Sequence, residues 1–134
     1  MKVVVIDDDP TGSQTVHSCP LLLRWDAETL RQAIRHPSPL LFLLADTRAL
    51  TPSSAAERNR MIAAALDAAL QAEGLARDHL LLVSRGDSTL RGHGVLEPAV
   101  LEECFGPFDA TVHAPAFLEG GRTTVNGVHL LHGQ

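Results

Sequence analysis

The sequence predicts an α/β domain: a doubly wound, Rossmann-like and mostly parallel sheet with helices on both faces. Three observations carry this. Short, wholly apolar runs alternate with longer helical patterns. The runs show no polar alternation, as expected of strands covered on both sides. Polar clusters follow immediately after several of the runs, at the strand ends where open parallel sheets hold ligands.

The elements follow in order. Val3–Ile6 is a buried strand ending in Asp7-Asp8-Asp9. Leu21–Leu23 is a second, short strand, and Asp26 then caps a helix running to about Ile34, because an aspartate at this position can accept a free N–H of the first turn. Leu40–Ala45 is the third strand and ends at Asp46-Thr47-Arg48. Thr51 caps a long helix with Pro52 at its first position, where the missing N–H costs nothing. Ile62, Leu66, Ala69 and Leu70 form its apolar stripe, and Gly74 ends it. Leu80–Val83 is the fourth strand. A helix from about Val95 to Cys104 stops at Gly106-Pro107, and Ala110–His113 is expected to be a fifth strand. Thr123–Leu131 reads as the start of a further strand or hairpin, and the absence of a helix after it suggests a truncated chain.

Composition narrows the function. The 134 residues match one domain, and 45% hydrophobic content is enough for a real core. With a net charge of -5 and Lys2 as the only lysine, neither nucleic acid nor an anionic membrane is an expected partner, since both need a basic surface. An anion held here would be held by arginine forks and backbone N–H groups. Cys19 and Cys104 form no CxxC pair, and the opening apolar run is too short for a signal peptide or a membrane span. A reduced, cytoplasmic setting is expected. Oligomeric state is not legible.

Four polar clusters should meet along one rim. Asp7, Asp8 and Asp9 cannot lie together ionised without compensation, so this cluster reads as a polyol or metal site. Thr11, Gly12 and Ser13 are expected to offer N–H groups at a helix start. Arg48 stands on the rim as an anion contact. The densest run is Arg85-Gly86-Asp87-Ser88-Thr89-Leu90-Arg91-Gly92, in which two arginines flank hydroxyls and a carboxylate. Asp87 or Ser88 is expected to cap the next helix, with Arg91 on its outer face. Glu119–Thr124 is a glycine-rich loop without the lysine or spacing of a P-loop. His129 and His132 are poorly spaced for a shared metal, so no metal site is assigned. Trp25 reads as a packing residue.

Asp8-Asp9-Pro10-Thr11-Gly12, Asp46-Thr47-Arg48, the Arg85–Gly92 block, Ala114-Pro115-Ala116-Phe117, Gly121-Arg122-Thr123-Thr124 and Gly127-Val128-His129 together resemble the four-carbon acid sugar kinase family. The resemblance runs through the whole chain in order. It implies an ATP-dependent kinase for acids such as threonate, erythronate or 3-oxo-tetronates. Residues 1–134 would then be an incomplete N-terminal sugar-acid-binding domain, with ATP and Mg²⁺ on a separate C-terminal nucleotide-binding domain that the chain lacks. This portion alone is expected to bind neither, and to be inactive as a kinase. By motif, the substrate contacts are Asp8, Asp9, Arg48, Arg85, Gly86, Asp87, Ser88 and Arg91, and Asp9 and Asp87 are the candidates for the catalytic base. Many relatives carry lysine where Arg85 stands.

Two alternatives compete. Asp7-x-Asp9-x-Thr11 resembles the loop of haloacid-dehalogenase-type phosphatases, which would make Asp7 the nucleophile, Asp9 the acid/base and Ser84 a phosphate contact; the lysine and late acidic pair that chemistry needs are missing. A receiver-like regulatory domain would phosphorylate Asp46 and use Ser84 as its switch, but it needs a lysine where His113-Ala114-Pro115 stand.

Overall fold

The structure is a computed structural model that describes residues 1–14 and 16–134. Four parallel strands form the main sheet: β1 (Lys2–Asp7), β2 (Leu21–Leu22), β3 (Leu40–Leu44) and β4 (Leu80–Arg85), in the order β2-β3-β1-β4. Among the described residues three α-helices accompany it: α1 (Ala27–Arg35), α2 (Pro52–Ala72) and α3 (Leu96–Phe105). The α/β class and the parallel sheet are therefore as expected.

The core follows from strand alternation. Val4 and Ile6 of β1 point to the same face as Leu41 and Leu43 of β3. Leu30, Ala33 and Ile34 of α1, Ile62, Leu66 and Leu70 of α2, and Leu101 and Phe105 of α3 close over that face in one cluster. Each helix buries residues three or four apart, so one apolar stripe faces the sheet. Trp25 packs against the same cluster. The expected caps are present: the Asp26 carboxylate accepts the Thr29 N–H, and the Thr51 hydroxyl accepts that of Ser54.

One arrangement differs. α1 and α2 share one face of the sheet, because the steps from β2 to β3 and from β3 to β4 run in the same direction and right-handed crossovers then fall on one side; α3, which follows β4, packs on α2 in the same cluster. The reverse step from β1 to β2 carries, among the described residues, only a 3-10 turn at Pro10–Ser13. The second face is accordingly closed at Val5 and Phe42 but open at β4, where Leu81 is 50% and Val83 37% exposed.

The expected fifth strand at Ala110–His113 does not form; the segment is exposed coil. A strand needs a ladder partner and an apolar side to bury, and Val112, the one large apolar residue in it, is 87% exposed. The chain continues into an antiparallel hairpin, β5 (Arg122–Val125) and β6 (Val128–Leu131). Asn126 and Gly127 turn it with φ of 50° and 77°, the two positive angles of a tight hairpin turn.

Candidate functional site

The carboxyl ends of β1, β3 and β4 lie side by side, and backbone hydrogen bonds stitch their outgoing loops together. Asp8 O accepts the N–H groups of Thr47 and Arg48, at 2.9 and 3.1 Å, and Asp8 N donates to Arg85 O at 3.2 Å. This places the loops after the three strands on one rim.

Each aspartate of the first cluster has its own partner. Strand register sets Asp7 beside Arg85 on the open face, and the Arg85 Nη1–Asp7 Oδ1 distance is 3.3 Å. Gly12 lies directly on this pair: a Cβ there would come within 1.8 Å of Arg85 Nη1 and 2.2 Å of Asp7 Oδ2, so glycine is required by close approach. Burial pushes the Asp7 carboxyl up, although Arg85 opposes the shift. Asp7, the nucleophile of the phosphatase alternative, has no exposed surface.

Asp8 alternates to the helical face. Its carboxylate takes a two-pronged contact from Arg48, Nη2 to Oδ1 at 2.8 Å and Nε to Oδ2 at 3.1 Å. Asp8 is 1% exposed, so Arg48 supplies the charge that makes its burial tolerable. Gly92, at φ 79°, packs against both residues, and its added Cβ would lie 3.2 Å from Asp8 Oδ2. Asp9 accepts the Thr11 N–H at 2.8 Å and the Thr11 hydroxyl, and stands 3.3 Å from Arg48 Nη1. These Thr11 hydrogen bonds hold the Asp9 carboxyl below its ordinary range. They also correct one expectation: the Thr11 and Gly12 N–H groups are spent on Asp9 and are not free for a ligand. Arg85, Arg48 and Thr11 compensate the three acids.

The Arg85–Gly92 loop carries the remaining groups. Asp87 accepts from Arg91 Nε and from the Thr89 hydroxyl. Arg91 foremost, with Thr89, holds its carboxyl well below the usual carboxylate range. Neither Asp87 nor Ser88 caps α3, which begins at Leu96 without a side-chain cap. Asp87 O instead closes a turn with Leu90 N at 2.9 Å, because Leu90 and Gly92 take positive φ and break any helix there. Arg91 thus stands in the loop, with 69% of its side chain exposed. Asp9, Arg48, Asp87 and Arg91 are near enough to act on one another's charge: Arg48 responds to Asp9 and Asp87, and Arg91 to Arg48 and Asp9. Gly86 is exposed and free of packing around its Cα.

Glu97 was not read from the sequence as a site residue. Buried Glu97 accepts from the Thr47 hydroxyl and, at 3.3 Å, from Asn59 Nδ2, locking the loop after β3 to α2 and α3. Burial raises its carboxyl above the ordinary range. The one clue was positional, an acid in line with Val100 and Leu101 on an apolar stripe. The hairpin docks on the Arg85–Gly92 loop through Ser88, whose hydroxyl accepts from Arg122 Nη1 at 2.8 Å and whose carbonyl meets His129 Nε2 at 2.6 Å. A hollow of about 280 Å³ lies there, lined by Thr89, Arg122, His129, Leu130, Leu131 and Gln134. A second, of about 250 Å³, lies at the amino ends of the strands around Lys2, His36 and His79. The carboxyl-end hollow adjoins the convergent charges, and that is where ligands of parallel sheets bind.

Among the described residues no three His, Cys, Asp or Glu side chains converge as metal ligands, and no helix is long and apolar enough to cross a membrane. A family model described as a sugar-binding N-terminal domain matches residues 3–134. No curated protein and no solved structure matches the chain.

Proposed function

The chain belongs to the sugar-binding N-terminal domain family, and from that premise we propose that it is the sugar-acid-binding part of an ATP-dependent kinase for four-carbon sugar acids of the threonate, erythronate or 3-oxo-tetronate type. The observation that carries this reading is the meeting of Asp9, Arg48, Asp87 and Arg91 on one rim. Two ionised carboxylates and exposed guanidinium groups suit a small anion bearing several hydroxyls.

The roles follow from the geometry. Asp9 and Asp87, both held ionised, accept hydrogen bonds from substrate hydroxyls, and one of them orients the hydroxyl that receives the phosphoryl group. Their depressed affinity for protons makes them orienting acceptors more than strong bases. Arg48 keeps Asp8 in place, while Arg85 and Arg91 hold Asp7 and Asp87 at the rim. Gly86 leaves room at the turn for close approach.

We assign ATP and Mg²⁺ no site on these residues. Lys2 donates to His36 O and Ser38 O, both at 2.7 Å, at the far end of the strands, and no set of metal ligands converges among the described residues. In our reading both belong to a separate nucleotide-binding domain.

A thermal-shift series with threonate, erythronate and their neutral polyols tests the proposal. A sugar acid at 100 times its Kd stabilises by about 2.7 kcal/mol and should raise the melting temperature by several degrees. No shift with any four-carbon acid at millimolar concentration would contradict it.

A further inference from the structure

Three of the rim arginines are already neutralised by the protein itself. Arg48 is paired with Asp8, Arg85 with Asp7 and Arg91 with Asp87. Arg122 differs from them: among the described residues it has no carboxylate partner, a state it shares with Arg58, whose guanidinium is held instead by the Ala45 and Asp46 carbonyls. It donates one N–H to the Ser88 hydroxyl at 2.8 Å, and its guanidinium lies 5.7 Å from the centre of the Phe117 ring. Both contacts fix its direction and neither cancels its charge. Arg122 lines the 280 Å³ hollow together with Thr89, His129, Leu130 and Leu131.

An arginine held in place without a counter-ion beside a small hollow is arranged to receive one. The paired arginines would have to give up a buried or short-range aspartate contact to do the same, and for Arg48 that means stranding an acid that is 1% exposed. Resting on the sugar-acid reading above, we propose that Arg122 binds the carboxylate of the substrate in the hairpin hollow. Leu130 and Leu131 then cover the C–H side of the carbon chain. The hydroxyls run along the Arg85–Gly92 loop toward Asp87 and Asp9. Thr89 is the joint between the two halves, since its hydroxyl bonds Asp87 and it also lines the hollow. The β5–β6 hairpin is on this account part of the binding site, selecting acids over polyols.

The test compares threonate with threitol, the same carbon chain without the charge, by calorimetry on the wild-type chain and on Arg122→Gln. The wild type should prefer threonate by about tenfold or more, the low end for a charged hydrogen bond. In Arg122→Gln that preference should vanish while threitol affinity changes less than about threefold. A glutamine variant that keeps the preference overturns the assignment and leaves the sugar-acid reading intact. A wild-type chain that binds neither ligand removes both. If the variant does not fold, guanidinium NMR of the wild type decides: threonate must shift the Arg122 resonance and threitol must not, and a threonate response confined to the other arginines overturns the assignment.

Discussion

The Arg48–Asp8 pair shows how one residue can be read correctly as to place and incompletely as to role. Arg48 follows an apolar strand, so its position on the rim was legible. Its partner was not, because the two-pronged contact to Asp8 spans forty residues of chain and depends on strand order. Removing one member of a buried pair leaves a desolvated charge, which costs about 3–5 kcal/mol. Arg48→Ala should therefore lose about that much in denaturant unfolding, a large part of the about 5–15 kcal/mol of an ordinary domain. A loss below about 1 kcal/mol would show that Arg48 is free for ligand and does not hold Asp8. The same limit applied to Asp7 and Arg85: adjacency in the sheet, invisible in the sequence, made them partners.

The strands and helices with strong local signals formed where expected. Caps at Asp26 and Thr51, the stripe of α2 and the apolar runs of β1, β3 and β4 depend on residues a few positions apart. Ala110–His113 failed for the opposite reason, since a strand is defined by a neighbour. What ties the elements together at the rim was equally unreadable. Glu97 fastens α3 to α2 and to the loop bearing Arg48, and burial holds its proton to higher pH than in the unfolded chain. Between the ordinary glutamate value of 4.5 and the raised native value, the folded state binds the extra proton, so stability falls as pH rises through that window. Glu97→Gln keeps a neutral polar group there and should flatten that part of the curve, giving a variant that gains on the wild type as pH rises. Midpoints of urea unfolding from pH 4 to 8 check this; parallel curves for the two proteins would mean that Glu97 titrates alike in the folded and unfolded chain.

At the scale of the molecule, a parallel sheet with its loops gathered at one end brings acids and arginines from distant segments into one charged rim, and the hairpin adds an arginine with no acid of its own. Alternating runs and strand-end clusters made that rim predictable. The single helical layer was not, because it depends on crossover direction and thus on strand order. Calorimetric titration of threonate into the wild-type chain and into Asp87→Asn at neutral pH bears on the whole account most directly. One-to-one saturable binding should weaken about tenfold or more in the variant, as expected when an ionised hydrogen-bond acceptor is lost; equal affinities, or no binding to the wild type, would contradict it.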